Sequence, residues 1–235
     1  MIAQHRSETN EHYTPELIVA PSRATLGDID LDPASCEIAN QVVGAKFCLG
    51  NFPNFEIDGL QVEWSVGVAD GSRVFLNPPG GKLDRKTLQP IKAGPGISSA
   101  AMWWAKLWSE WECGNVHSAI FICFSLAIFR TAQDSDMPEV PAPFEFPFCV
   151  PRDRVNYDKA IWQEIGDPAD PAHIVTGRWA RVPTKGAPAD SAIILLPERE
   201  AWLREKRGDG YDHRPEVSAV GRFLENFSKL GKVRI

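Results

Sequence analysis

An open α/β sheet is the fold class this sequence predicts. Three apolar runs carry that expectation: "RVFLN" (73–77), "HSAIFICFSLAIF" (117–129), which starts as a central strand, and "SAIILLP" (191–197). They are nearly continuous in apolar residues, as strands covered on both faces must be. Helix-like segments lie between and around them, and such alternation argues for one sheet with helices packed on it. A length of 235 residues suits one large domain with insertions. The 43% hydrophobic fraction is enough for a core, and 24% charged residues does not suggest disorder.

Residues 1–11 are polar and read as a loose arm without an apolar signal core. In "YTPELIVAPSRATLG", Thr14 is placed to cap a helix with Pro15 at its first position. Pro21 should limit or kink that helix. "DIDLDPAS" alternates acidic and apolar residues and turns at Pro33, which predicts a short strand ending in a loop. "SCEIANQVVGAKF" reads as a helix with Ile38, Val42 and Val43 on or near one face. The strand 73–77 runs into the turn "NPPGG". The stretch 80–100 is rich in glycine and proline and reads as a long mobile loop.

"AAMWWAKLWSEWE" is a helix with several Trp to bury, followed by "HSAIFICFSLAIF", which starts as a central strand. The proline-rich "DMPEVPAPFEFPF" is irregular, and "FCVPRDRVNY" reads as an edge strand with a turn. Residues 158–190 read as an insertion. The chain ends in an amphipathic helix, "VSAVGRFLENFSKLG", expected to close at Gly231. Insertions are thus expected at about 80–100 and 130–190 of a single domain spanning 1–235.

Several function classes fall away on composition. No run approaches the roughly 18 apolar residues of a membrane span. Five scattered cysteines form no C-x-x-C pair, which fits a reducing cytoplasm. The five histidines have no ligand spacing, so no metal site is assigned. A net charge of −6 counts against holding nucleic acid by bulk electrostatics alone. Lys82, Arg85, Lys86 and Lys92 in the 80–100 loop offer a local phosphate-binding patch, or a solvated loop.

The chemistry concentrates at Asn77-Pro78-Pro79. An amine conjugated to a purine or pyrimidine ring is a poor nucleophile because its lone pair is delocalised. Two carbonyls, the Asn77 side chain and the Pro78 backbone, can accept its two N–H groups and draw the nitrogen towards pyramidal geometry. Proline fixes φ, so the acceptors are held in place beforehand. By itself such a turn is also common structure. A cytosine C5 methyl transfer would require a nucleophilic cysteine, usually after proline, and none of the five follows one.

"EHYTPELI", "DIDLDPAS", "DGL" and "FLNPPG", in that order, resemble the phage-type Dam-like N6-adenine DNA methyltransferases over residues 11–80. The resemblance implies a Rossmann-like, S-adenosylmethionine-dependent methyltransferase sheet and transfer of methyl to N6 of adenine in DNA. It also implies a cytoplasmic setting in a phage or prophage host. The catalytic signature maps onto Asn77, Pro78 and Pro79. The cofactor site maps onto Tyr13, Thr14 and Pro15, the strand end Asp30, Asp32, Pro33, Ala34 and Ser35, and Asp58 of "DGL". Which of Asp30 and Asp32 meets the cofactor is left open.

Two departures qualify the resemblance. No glycine-rich loop follows the first strand, a feature the phage-type family shares. Gly80 stands where an aromatic would stack on the extruded base, an interaction of about 1–3 kcal/mol. Tyr157, with Arg154 in a segment resembling the family's Arg-x-x-Phe/Tyr, is the first candidate to supply that ring; Trp103 and Trp104 follow. The substrate group is therefore Gly80, Lys82, Trp103, Arg154 and Tyr157. Rival expectations are N4-cytosine methylation, methylation of a protein amide, and a non-catalytic relative that binds nucleic acid or protein.

Overall fold

The computed structural model describes residues 12–49, 59–78, 100–123, 140–165, 176–183 and 190–235. Along the chain these form α1 (Glu16–Leu26), β1 (Leu31–Asp32), α2 (Glu37–Val43), β2 (Phe47–Cys48), β3 (Ser72–Leu76) and α3 (Ala100–Glu112). There follow β4 (Val116–Cys123), a 3-10 turn (Pro143–Glu145), β5 (Phe148–Pro151), β6 (Asp158–Ile165) and β7 (Thr176–Pro183). The chain then forms β8 (Ala192–Leu196), α4 (Arg199–Lys206), α5 (Ala219–Phe227) and β9 (Gly231–Arg234). Seven strands form one sheet in the order β2-β1-β3-β4-β8-β5-β9, and β6 with β7 forms a separate antiparallel pair.

The strands from β2 to β4 pair in parallel. β8 runs antiparallel to both β4 and β5, so β5 points the same way as β4. β9 is antiparallel to β5. The chain is α/β with a mostly parallel central sheet, compatible with a Rossmann-like fold.

Alternation along the strands divides the core into two layers. Val74, Leu76, Ala119, Phe121, Ile194 and Leu196 face α3, whose Trp103, Trp104, Leu107, Trp108 and Trp111 are buried there with Trp202 of α4. Phe75, Ile120, Ile122, Ile193 and Leu195 face the other way, towards Ile18 and Val19 of α1 and Val220, Phe223 and Phe227 of α5. Helices therefore cover both faces.

Several expectations change. α1 continues through Pro21 to Leu26, held by buried Ile18, Val19 and Leu26. Its N-cap is Pro15 rather than Thr14, and no side chain caps it. β5 is internal, because the last residues form β9 along its outer edge. The final helix ends at Phe227 and Gly231 opens that strand; a Cβ there would lie 2.0 Å from the Val150 carbonyl oxygen. The stretch 158–190 holds the β6–β7 hairpin, and α4 occupies a segment whose charge hid it. The expected 80–100 loop lies, save Ala100, outside the described residues.

One buried carboxylate fixes how β1 sits against β3. Asp30, 1% exposed, accepts from the Arg73 backbone N–H at 3.0 Å and from Arg73 Nε at 2.7 Å on one oxygen. Its other oxygen accepts from Arg73 Nη2 at 3.0 Å and Lys46 Nζ at 2.8 Å. Burial works to raise the Asp30 pKa, but hydrogen bonds from Arg73 and Lys46 overcome it and hold the carboxyl well below the usual carboxylate range. A lowered folded pKa stabilises the fold above the ordinary value of 3.8, and that gain is lost as pH falls through the folded value. Asp30→Ala should cost towards the low end of about 3–5 kcal/mol, since Arg73 and Lys46 keep access to water. Urea unfolding near neutral pH checks the loss, and the parent and variant should converge in acid.

Candidate functional site

The order of the sheet reverses beside β1. From β1 the chain goes outward to β2, then returns across β1 to pair β3 on its other side. Ligands of open α/β sheets bind beyond the C-terminal strand ends at such a point. Asp32 leaves β1 and Asn77 leaves β3 at that same edge, because the two strands are parallel.

Asn77 donates from Nδ2 to the His12 carbonyl at 2.7 Å. That bond distinguishes the two ends of the carboxamide and assigns the other end as oxygen. The oxygen, Oδ1, is buried and has no hydrogen-bond partner among the described residues. An unsatisfied buried acceptor costs about 1–3 kcal/mol. Side-chain atoms of Thr14, Thr25, Ser72, Trp108, Glu198 and Tyr211 are likewise buried without a partner among the described residues, so the Asn77 oxygen draws its weight from its place at the strand end. Pro78 beside it is buried. Pro79, Gly80, Lys82 and Asp58 lie outside the described residues.

His12 and its neighbours are held from outside the main sheet. Tyr13 makes an antiparallel bridge with Asp158 of β6, with N–H to carbonyl bonds of 2.9 Å in both directions. Tyr13 is buried, and its hydroxyl accepts from Cys36 Sγ at 3.6 Å. Thr14 is buried with its hydroxyl unpartnered among the described residues. The Pro15 carbonyl accepts from Ile18 and Val19 and so begins α1.

Asp32, 3% exposed, accepts from the Ala34 N–H at 3.3 Å, while its own carbonyl accepts from Leu49 beyond β2. Burial pushes its carboxyl up to about 7 against hydrogen bonds from Ser35 and Ala34. Ser35 N–H in turn donates to the Leu49 carbonyl at 2.9 Å, fixing the turn Asp32-Pro33-Ala34-Ser35 beside β2. Gly59 lies directly on this turn: a Cβ would come 2.0 Å from the Pro33 carbonyl oxygen. Any side chain at 59 would force the two loops apart. Trp64 Nε1 donates to the Gly59 carbonyl at 2.8 Å and holds it there.

Of the three acids of "DIDLD", Asp28 joins Lys46 and Arg73 at the surface, and Asp30 and Asp32 have separate tasks. Asp30 is consumed by Arg73 and Lys46 toward the N-terminal ends of the strands, four residues before Asn77 in the register of β3. Asp32 alone stands at the C-terminal edge, so Asp30 is set aside from the cofactor group.

The rings proposed to stack on a base are core residues. Trp103 is 3% exposed and stacks on Trp64 at 6.3 Å. Trp104 is equally buried, meets Phe121 edge-on at 5.3 Å and donates Nε1 to the Pro141 carbonyl. Tyr157 is 2% exposed and its hydroxyl shares a 2.9 Å hydrogen bond with Ser191. Burial pushes that phenol far above its ordinary pKa. None of the three offers a face to an incoming base, because each ring is enclosed by the apolar layers. Arg154 is exposed and forms a two-pronged ion pair with Asp190, at 2.9 and 3.0 Å.

No family model, no curated protein and no solved structure matches this chain. The site's chemistry therefore rests on its own geometry. Among the described residues, no helix is long and apolar enough to cross a membrane.

Sequence reasoning missed two participants, His12 and Arg181. His12 acts through its backbone carbonyl, which no residue-type pattern reports. Arg181 of β7 belongs to a hairpin whose strands the Pro/Gly/Asp-rich composition hid.

The raised Asp32 pKa gives a signed expectation. Between 3.8 and about 7 the folded chain keeps a proton that the unfolded chain has lost. Stability therefore falls as pH rises through that window and levels off above it. Ligand-free Asp32→Asn should melt higher than its parent above pH 7 and with it in acid. Melting curves across that range check the sign.

Proposed function

We propose that the chain is an S-adenosylmethionine-dependent methyltransferase with a Rossmann-like sheet, acting on the N6 amine of adenine in DNA. The observation that carries this reading is the Asn77 carboxamide: its NH2 end is tied to His12 and its oxygen is buried without a partner among the described residues. An acceptor kept unsatisfied at a strand end beside a topological switch is matched to a ligand that brings N–H groups.

The residues of the neighbouring strand end fit the cofactor that the resemblance implies. Thr14 contributes an unpartnered buried hydroxyl, and Asp32 contributes a buried acid whose ionisation an adjacent cation would favour. Pro33, Ala34 and Ser35 form the turn, closed by Gly59 next to Asp58. Tyr13 and Pro15 frame Thr14. S-adenosylmethionine, when bound, supplies an electrophilic methyl on a positively charged sulfur.

Asn77 Oδ1 and the Pro78 carbonyl would each accept one N–H of the target amine. Those two bonds hold the nitrogen out of conjugation and free its lone pair. Because proline restricts the backbone and His12 restricts the amide, no acceptor has to reorganise during reaction. The methylated nitrogen then sheds a proton to water. A base must leave the duplex to reach this position.

A second reading has one observation in its favour. Trp103, Trp104 and Tyr157 are all committed to the core, which suits a relative that keeps the fold and binds without catalysing. Incubation with methyl-labelled cofactor and unmethylated DNA, then digestion to nucleosides, separates the readings. The expected label is on N6-methyl-2′-deoxyadenosine; label on N4-methyl-2′-deoxycytidine would assign the rival amine, and no cofactor binding by calorimetry would favour the non-catalytic reading.

Asn77→Ala should lower transfer at least about a hundredfold while cofactor affinity stays near the parent value. Unchanged transfer in that variant would sink the mechanism. Cofactor affinity should also tighten as pH rises through about 7, where Asp32 gives up its proton. Calorimetry below and above that value checks it.

A further inference from the structure

We propose that Arg181, on the hairpin outside the main sheet, is a positioning residue that keeps the Asn77 carboxamide turned with its oxygen to the amine site. The proposal rests on the reading of Asn77 given above for its chemical consequence. The coupling itself stands on contacts alone.

A carboxamide has two ends of nearly equal size and opposite hydrogen-bonding sense. Rotated by half a turn, Asn77 would present N–H donors to an amine that also donates, and the site would repel its substrate. The His12 carbonyl, 2.7 Å from Nδ2, is what separates the two orientations. Its placement depends on the next residue, because Tyr13 is fixed by both backbone bonds to Asp158.

Arg181 secures that arrangement on several sides at once. Its Nε pairs with the Asp158 carboxylate at 2.7 Å, and its Nη2 donates to the Thr14 carbonyl. Nη1 reaches the Ala39 carbonyl of α2 at 3.4 Å. The guanidinium carbon stands 5.8 Å from the centre of the Tyr13 ring. The side chain is only 9% exposed, so these bonds are little diluted by water. One planar fork thus joins the hairpin, α2 and the segment carrying His12. A lysine ammonium is a point charge that cannot serve those acceptors in the same directions.

The test uses the full chain labelled with nitrogen-15. The Asn77 side-chain amide signals are assigned by their disappearance in Asn77→Asp. In Arg181→Lys, solvent exchange of the Nδ2 protons should accelerate about tenfold, the factor an ordinary hydrogen bond represents. If Arg181→Lys does not fold, Asp158→Asn, which leaves the backbone bridge in place, should give the same acceleration. Unchanged Asn77 amide signals in either folded variant would overturn the proposal.

A double-mutant cycle supplies the kinetic readout. In the Asn77→Asp variant the side chain presents oxygen whichever way it turns, so orientation no longer matters in that background. Arg181→Lys should lower kcat about tenfold beside the native Asn77 but about twofold or less when combined with Asn77→Asp. An equal cost in both backgrounds would mean a merely structural Arg181 and would overturn the proposal. A parent that transfers no methyl, with the amide exchange still accelerated in the variant, would instead sink the methyltransferase reading and leave the positioning role standing.

Discussion

The buried carboxylate of Asp30 is the constraint on which the rest of this architecture depends. It is almost fully removed from water, and a charge so placed is tolerated only when paired and hydrogen-bonded. Arg73 and Lys46 satisfy it from the strands or strand edges on either side of β1. A shift of β1 along β3 would strand that charge, and one residue of slip would also turn apolar side chains out of their layer. The pairing therefore has a single favourable register. In that register Asp32 and Asn77 emerge together at one edge of the sheet.

Beyond that edge, the site is assembled from loops that share no sequence neighbourhood. Gly59 sits on the Pro33 carbonyl, and the Tyr13 backbone joins a hairpin more than a hundred residues away. The Asn77 oxygen and the Thr14 hydroxyl are left without a partner among the described residues, and burial pushes the Asp32 carboxyl up to about 7. Asp32 and Asn77 share one edge of the sheet at a topological switch, where ligands of open α/β sheets bind.

Much of this was legible in the sequence. β3, β4 and β8 are read from continuous apolar runs, β1 from the acidic–apolar alternation of "DIDLD", and α3 from its several Trp to bury, because these signals are local. The hairpin was not legible, since Pro, Gly and Asp flank strands that, among the described residues, pair with each other and with Tyr13. β9 was hidden because four residues, alternating in burial, carry little signal and Gly231 imitates a helix stop. Pro21 misled in the other direction: tertiary packing of α1 outweighed the lost hydrogen bond.

At the candidate site, residue type pointed to Asn77, Thr14 and Asp32 but could not divide the labour between Asp30 and Asp32, which needed the register of β1 on β3. The aromatic choices failed for a related reason. Tyr157, Trp103 and Trp104 are large apolar side chains, and the core claimed all three. The proposed chemistry turns on Asn77 Oδ1 being an acceptor reserved for a substrate amine. The most direct test is a crystal structure of the chain with a non-reactive cofactor analogue and adenine-containing DNA. The exocyclic nitrogen of an extrahelical adenine should then lie about 3 Å from Asn77 Oδ1, with Nδ2 still on His12. An adenine bound elsewhere, or an Asn77 amide turned to present Nδ2, would contradict that role.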